Sequence, residues 1–93
     1  AVIIINTKIE ILINDCYKVL NILYDNHIIV NKVPYCPLSQ SEIADILDLN
    51  RMTISSILKK LESNGLIIID KNKNKKYILT EKGIDVVKKM NKI

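Results

Sequence analysis

A chain of 93 residues, 48% of them hydrophobic, makes one folded domain, residues 1–93, with no room for a second core. Its two cysteines lie twenty positions apart with no CxxC spacing, which suggests neither a disulfide framework nor a zinc site. The net charge of +4 is uneven: residues 51–76 carry seven basic side chains against two acidic ones, an excess of five, while the remaining residues together stand at −1.

Residues 1–5 form an apolar run too short for a membrane span and without the basic flank of a signal peptide, so a cytoplasmic protein with no membrane partner is expected. Thr7-Lys8-Ile9-Glu10 has the form of a capping box, and Asn14-Asp15 offers a second helix start. From there Cys16, Val19, Leu20 and Leu23 follow the i, i+3, i+4, i+7 spacing of an amphipathic helix that ends near Asn26 or His27. Residues 28–38 contain Pro34 and Pro37 and read as a connector with room for one short strand.

Ser39-Gln40-Ser41-Glu42 is another capping box and opens a short helix through Ile43, Ala44 and Leu47. Asn50 can cap the next helix, which starts at Arg51, carries the stripe Ile54, Ile57, Leu58 and Leu61, and stops at Gly65. Two short helices joined by a turn of three or four residues make a helix-turn-helix. After Gly65 the period changes. Leu66-Ile67-Ile68-Ile69 and residues 76–79 read as two strands around a lysine-rich turn, and Thr80 caps a last helix with Ile84, Val87 and Met90 on one side. The fold class is therefore mainly α with a small β-hairpin (α+β), a winged helix-turn-helix in the order α-α-α-α-β-β-α or with an extra short strand.

The string SEIADILDLNRMTISSILKKLESNGLI, residues 41–67, resembles the winged-helix DNA-binding domains of MarR-like and ArsR-like regulators. The resemblance implies that Ala44 sits where the two helices cross, that Leu49 fills the turn, and that Leu61-Glu62 closes the second helix onto the wing. It also implies double-stranded DNA as the partner. With Ile54, Leu58 and Leu61 facing the core, the opposite side of the helix shows Met52, Ser55, Ser56 and Lys59, while Arg51 and Thr53 stand at the helix start. Arg suits bidentate reading of guanine, Ser and Thr reach base edges or phosphate, and Lys reaches phosphate. The recognition set is thus Arg51, Met52, Thr53, Ser55 and Ser56, with Lys59 and Lys60 as backbone contacts. Lys71, Lys73, Lys75 and Lys76 on the wing follow the flanking phosphates or enter the minor groove, and Ser39, Gln40 and Ser41 add contacts at the preceding helix start. For each lysine taken singly, a solvated surface charge is the plainer reading; the clustering is what argues for a polyanion-binding face.

Little else offers chemistry. His27 is the sole histidine, so neither a His-based metal cluster nor a catalytic triad can be assembled, and a helix-end role is preferred. Cys36, near Pro34 and Pro37, invites a redox reading, but nothing nearby marks a lowered pKa; both cysteines are expected as reduced, buried, small apolar groups. With only Gly65 and Gly83 there is no phosphate loop, so no enzyme and no cofactor is expected.

Two roles fit the same DNA-binding face. One is a transcription repressor of MarR-like or ArsR-like type. The other, which is preferred, is a plasmid or phage centromere-binding adaptor, because residues 14–20 and 76–87 are similar to the TubR adaptors of tubulin-like (type III) partition systems. That second resemblance implies a homodimer on iterated DNA repeats that recruits a tubulin-like GTPase filament and represses its own operon. A winged helix serving protein interaction alone is a third reading, and the clustered charge argues against it. Dimer surface is expected from the apolar residues 2–5 with Ile9, Leu12 and Ile13, and from Val87, Met90 and Ile93.

Overall fold

The computed structural model describes residues 7–71 and 76–91, with side chains from residue 15 onward. The chain runs α1 (Thr7–Asp25), β1 (Ile28–Val30), β2 (Val33–Cys36), α2 (Gln40–Leu47), α3 (Arg51–Ser63), β3 (Ile67–Asp70), β4 (Lys76–Leu79) and α4 (Glu81–Asn91). The strands form one antiparallel sheet in the order β1-β2-β4-β3.

Two features differ from the order expected. The segment starting at Thr7 is one continuous helix, so Asn14-Asp15 lies inside α1 rather than at a second start. The connector holds a hairpin of two strands instead of one. Val30 pairs with Val33 across Asn31 and Lys32, which both take positive φ, at 52° and 67°. Positive φ at both central residues matches a twisted two-residue turn, yet the Asn-Gly or Asp-Gly signal that usually announces it is missing. Pro34 has no N–H to give to a ladder, and the pairing of β2 with β4 covers only Tyr35↔Ile78 and Cys36↔Tyr77, just past it.

Val19, Leu20 and Leu23 of α1 are buried against Ile43 and Ala44 of α2, the stripe Ile54, Ile57, Leu58 and Leu61 of α3, and Cys36, Ile67, Tyr77 and Leu79 on the inner sheet face. The inner positions of β4 alternate with half-buried Lys76 and Ile78, the period of two that a one-sided sheet imposes. On the outer face, register sets Ile28, Tyr35, Ile78 and Ile68 opposite one another across all four strands. Ile28 and Ile68 are exposed there, as are Val30 and Val33 beside them.

Val87, expected at a dimer surface, is fully buried within the chain's own core, because α4 packs its stripe on α1; Met90 stays exposed. Residues 2–5 and Ile93 lie outside the described residues, as do the side chains of Ile9, Leu12 and Ile13. No described helix is long and apolar enough to cross a membrane.

Candidate nucleic-acid interface

The helix pair is set by local codes. Ser39 Oγ accepts the N–H of Glu42, and Glu42 Oε1 accepts the N–H of Ser39, both at 3.1 Å, which completes the capping box of α2. Asp48 closes that helix in the left-handed region at φ 54°, with Leu49 N–H returning to Ala44 O at 3.0 Å. After the turn Asp48-Leu49-Asn50, Asn50 Oδ1 accepts the N–H of Met52 at 2.7 Å and caps α3. Gly65, at φ 74°, ends that helix: its N–H bonds Glu62 O and the Leu66 N–H bonds Leu61 O, each at 3.0 Å.

With its apolar stripe inward, α3 turns Met52, Ser56 and Lys59 outward and leaves them exposed. Arg51 is exposed at the helix start, and Thr53 and Ser55 are half-buried on the flanks. Ser55 and Lys59 share a shallow groove of about 180 Å³ with Gln40, Glu62, Ile69 and Lys71, between α3 and the root of the wing. Lys60 lies on the other flank, toward α1, where its charge acts on the Cys16 thiol. No ion pair ties up Arg51, Lys59, Lys60 or Lys71 among the described residues, where the pair seen is Lys89 with Asp85 at 2.9 Å on α4. The face therefore presents an excess of positive charge, with Glu62 as the carboxylate in the same groove.

Not every expected residue is free to reach outward. Ser39 spends its hydroxyl on the cap, and half-buried Gln40 donates through Nε2 to Arg51 O at 2.8 Å, bracing α2 on the start of α3. Ser41 is half-buried. Lys76 holds its ammonium 4.6 Å from the ring centre of Tyr35, a cation–π contact on the outer sheet face. Lys71 is exposed at the wing root, and Lys73 and Lys75 lie outside the described residues.

Other groups position the helix pair, among them Glu62 and Thr80, which the sequence places at the wing closure and the last cap, and Lys82, for which it gives no signal. Glu62 Oε2 accepts the N–H of Ile69 at 3.2 Å, tying α3 to the wing. Lys82 Nζ donates to Asn64 O at 3.0 Å, and the Thr80 hydroxyl donates to Gly65 O at 2.6 Å, so α4 grips the end of α3. The same hydroxyl accepts the Gly83 N–H at 3.0 Å, which makes Thr80 the cap of α4 that the sequence suggested.

The remaining reactive groups are quiet. Burial pushes the Cys36 thiol above its ordinary value of 9.0, against a smaller lowering by a backbone hydrogen bond at Leu38. Cys16, half-buried rather than buried as expected, is raised by desolvation too, with Lys60 opposing. Neither is poised as a thiolate. His27 caps α1, its Nδ1–H donating to Tyr24 O, with the two rings 5.0 Å apart. Among the described residues no three His, Cys, Asp or Glu side chains gather as a metal-binding set.

A helix-turn-helix followed by a two-stranded wing and a closing helix defines a winged helix-turn-helix domain. The chain belongs to the Crp-like helix-turn-helix domain family, matched over residues 18–83. Among solved structures it is similar to S. aureus MepR, determined as a complex with DNA: 29% identical, covering 85% of this chain and 54% of that one, with a TM-score of 0.64. It also shares its fold with the reduced Fe(II) CO-sensing protein from R. rubrum, at 17% identity, 89% of this chain, 40% of that chain and a TM-score of 0.69. Reduced CprK without ligand is 24% identical over 76% of this chain and 36% of its own, with a TM-score of 0.54. The chain thus spans about half or less of the length of these proteins. No protein of curated function matches it.

Proposed function

We propose that this chain binds double-stranded DNA as a transcription regulator, without catalysis or cofactor, and does so as a cytoplasmic homodimer. The observation that carries the reading is the outward face of α3. Met52, Ser56 and Lys59 stand exposed beside Arg51 and Lys71, with no ion pair to any of these cations among the described residues. A helix of this kind enters the major groove with its N-terminal turn foremost, and a wing follows the neighbouring backbone. That S. aureus MepR was solved on DNA, at 29% identity, supports the same use here. Two-fold pairing would set two such helices on one DNA face about 34 Å apart. The exposed apolar side chains Ile28, Val30, Val33, Ile68 and Met90 supply surface for it.

The assigned contacts are Arg51, Met52, Thr53, Ser55 and Ser56 for base edges and Lys59, Lys60, Lys71, Lys73 and Lys75 for phosphates, with Ser41 at the helix start. Ser39 and Gln40 serve instead to hold the start of the helix pair, and Lys76 to cover the Tyr35 ring. The test is an anisotropy titration, over several salt concentrations, of a duplex selected from a random library. Arg51→Ala should weaken the selected duplex by about 1–3 kcal/mol, and Lys71→Ala should weaken all duplexes and reduce the salt slope by about one. Equal binding by wild type and Arg51→Ala refutes the assignment of Arg51.

The narrower reading, a partition adaptor that recruits a tubulin-like GTPase, rests on the TubR-like segments 14–20 and 76–87. Genome-wide mapping of binding sites separates it from the MarR-like or ArsR-like repressor. Tandem repeats beside a tubulin-like GTPase gene support the adaptor, and scattered single palindromes at promoters support the repressor.

A further inference from the structure

Met52 is the most exposed large hydrophobic side chain among the described residues, at 79%. It stands second in α3, and at 100° per residue it points about 170° away from the centre of the stripe Ile54, Ile57, Leu58 and Leu61. No neighbour in the fold covers it. Its backbone is nonetheless held firmly, because Asn50 Oδ1 takes its N–H at 2.7 Å. The surrounding outward positions, Arg51, Ser55, Ser56 and Lys59, are all polar, so one apolar side chain is set into a polar face on a fixed first turn.

On the floor of the major groove the apolar feature is the C5 methyl of thymine, while the other base edges present hydrogen-bond donors and acceptors. We infer that Met52 is a specificity-determining residue that packs on a thymine methyl, an inference that rests on the DNA-binding reading above. Its unbranched, polarisable side chain can follow the methyl without a fixed cavity. Arg51 and Ser56, one residue before it and one turn after it, then hydrogen-bond to the flanking bases. The energy comes from removing two apolar groups from water, which polar neighbours cannot supply.

Deoxyuridine lacks that methyl and nothing else, so it tests the contact directly. The probe is the duplex selected by the wild-type protein from a random library, with each thymine replaced in turn by deoxyuridine. At one or two positions the replacement should weaken wild-type binding about three- to tenfold, the effect of one methyl-sized group losing its burial. Met52→Ala should bind the thymine duplex that much more weakly and no longer distinguish the two, whereas Met52→Leu should keep most of the discrimination. Because the side chain is 79% exposed, far-UV circular dichroism and the melting temperature should be nearly unchanged in both variants. Equal wild-type binding to thymine and uracil duplexes at every position overturns the inference while leaving DNA binding intact. So does a Met52→Ala protein that keeps the full discrimination, or one whose oligomeric state changes with its affinity. Failure to enrich any duplex overturns the DNA-binding reading and this inference with it.

Discussion

Gly83→Ala is the change that most directly tests how α4 is joined to the end of α3. A Cβ added at Gly83 would lie 2.1 Å from the carbonyl oxygen of Leu66 and 3.0 Å from its carbonyl carbon. Those atoms are backbone, so no side chain can swing aside, and either α4 or the Gly65-Leu66 link must move. Movement stretches the bonds that converge on Leu66 O from Thr80 N–H at 3.2 Å and Thr80 Oγ1 at 3.0 Å. Overpacking of this kind costs about 1–3 kcal/mol, and each weakened hydrogen bond about another 1. Replacing a helical glycine by alanine returns about 1 kcal/mol of propensity, which leaves a net loss of about 2–4 kcal/mol. For a domain of this size the melting temperature should fall by roughly 10–30 °C. The assay is thermal and urea unfolding followed by circular dichroism, with Gly65→Ala as the comparison. Gly65 has positive φ but nothing within 4 Å of an added Cβ, so its variant should lose only about 1 kcal/mol, from backbone strain. A Gly83→Ala protein as stable as wild type would refute the close approach and the geometry derived from it.

The other predictions address the wing, the cap and the buried thiol. Glu62→Gln keeps an acceptor for the Ile69 N–H and removes a negative charge beside Lys59 and Lys71, so it should bind duplexes more tightly than wild type. Glu62→Ala removes the tie as well and should fall below Glu62→Gln; equal affinities of the two variants would dismiss the clamp. Ser39→Ala should cost about 1 kcal/mol in urea unfolding, and Ser39→Asp should recover most of it, since either oxygen can accept the Glu42 N–H. Because burial raises the Cys36 thiol above its ordinary value of 9.0, the folded state holds that proton more tightly than the unfolded chain. Its stabilising contribution is therefore complete below pH 9.0 and lost as pH rises through the raised value. Urea midpoints should be flat between about pH 6 and 8 and decline above about 9, less steeply in Cys36→Ala. Identical slopes in the two proteins would contradict the assignment to Cys36.

Much of the helix-turn-helix was legible in the sequence because its signals are local. The Ser39–Glu42 box, the Asn50 cap and the Gly65 stop each act over two to five residues. The stripe Ile54, Ile57, Leu58 and Leu61 repeats with the helical period, so it named its own buried side. The outward residues Met52, Ser56 and Lys59 followed from the same arithmetic. Lys76 could not be sorted this way, since whether it faces a duplex or the Tyr35 ring depends on a strand more than forty positions away.

What the amino-acid pattern determined by itself was the helix-turn-helix pair with the inward stripe of its second helix, the wing strands and the concentration of positive charge over residues 51–76. Tertiary structure alone decided the rest. It joined Tyr35 to Ile78 and so made one four-stranded sheet out of two hairpins. It gave Asn31-Lys32 a turn that carries no glycine, tied Lys82 to Asn64 O, and pressed Gly83 against Leu66. It also took Val87 into the chain's own core. Each of these depends on groups that meet only after the helices have packed, and their free energy comes from burial and pairing between distant segments, which no local spacing records.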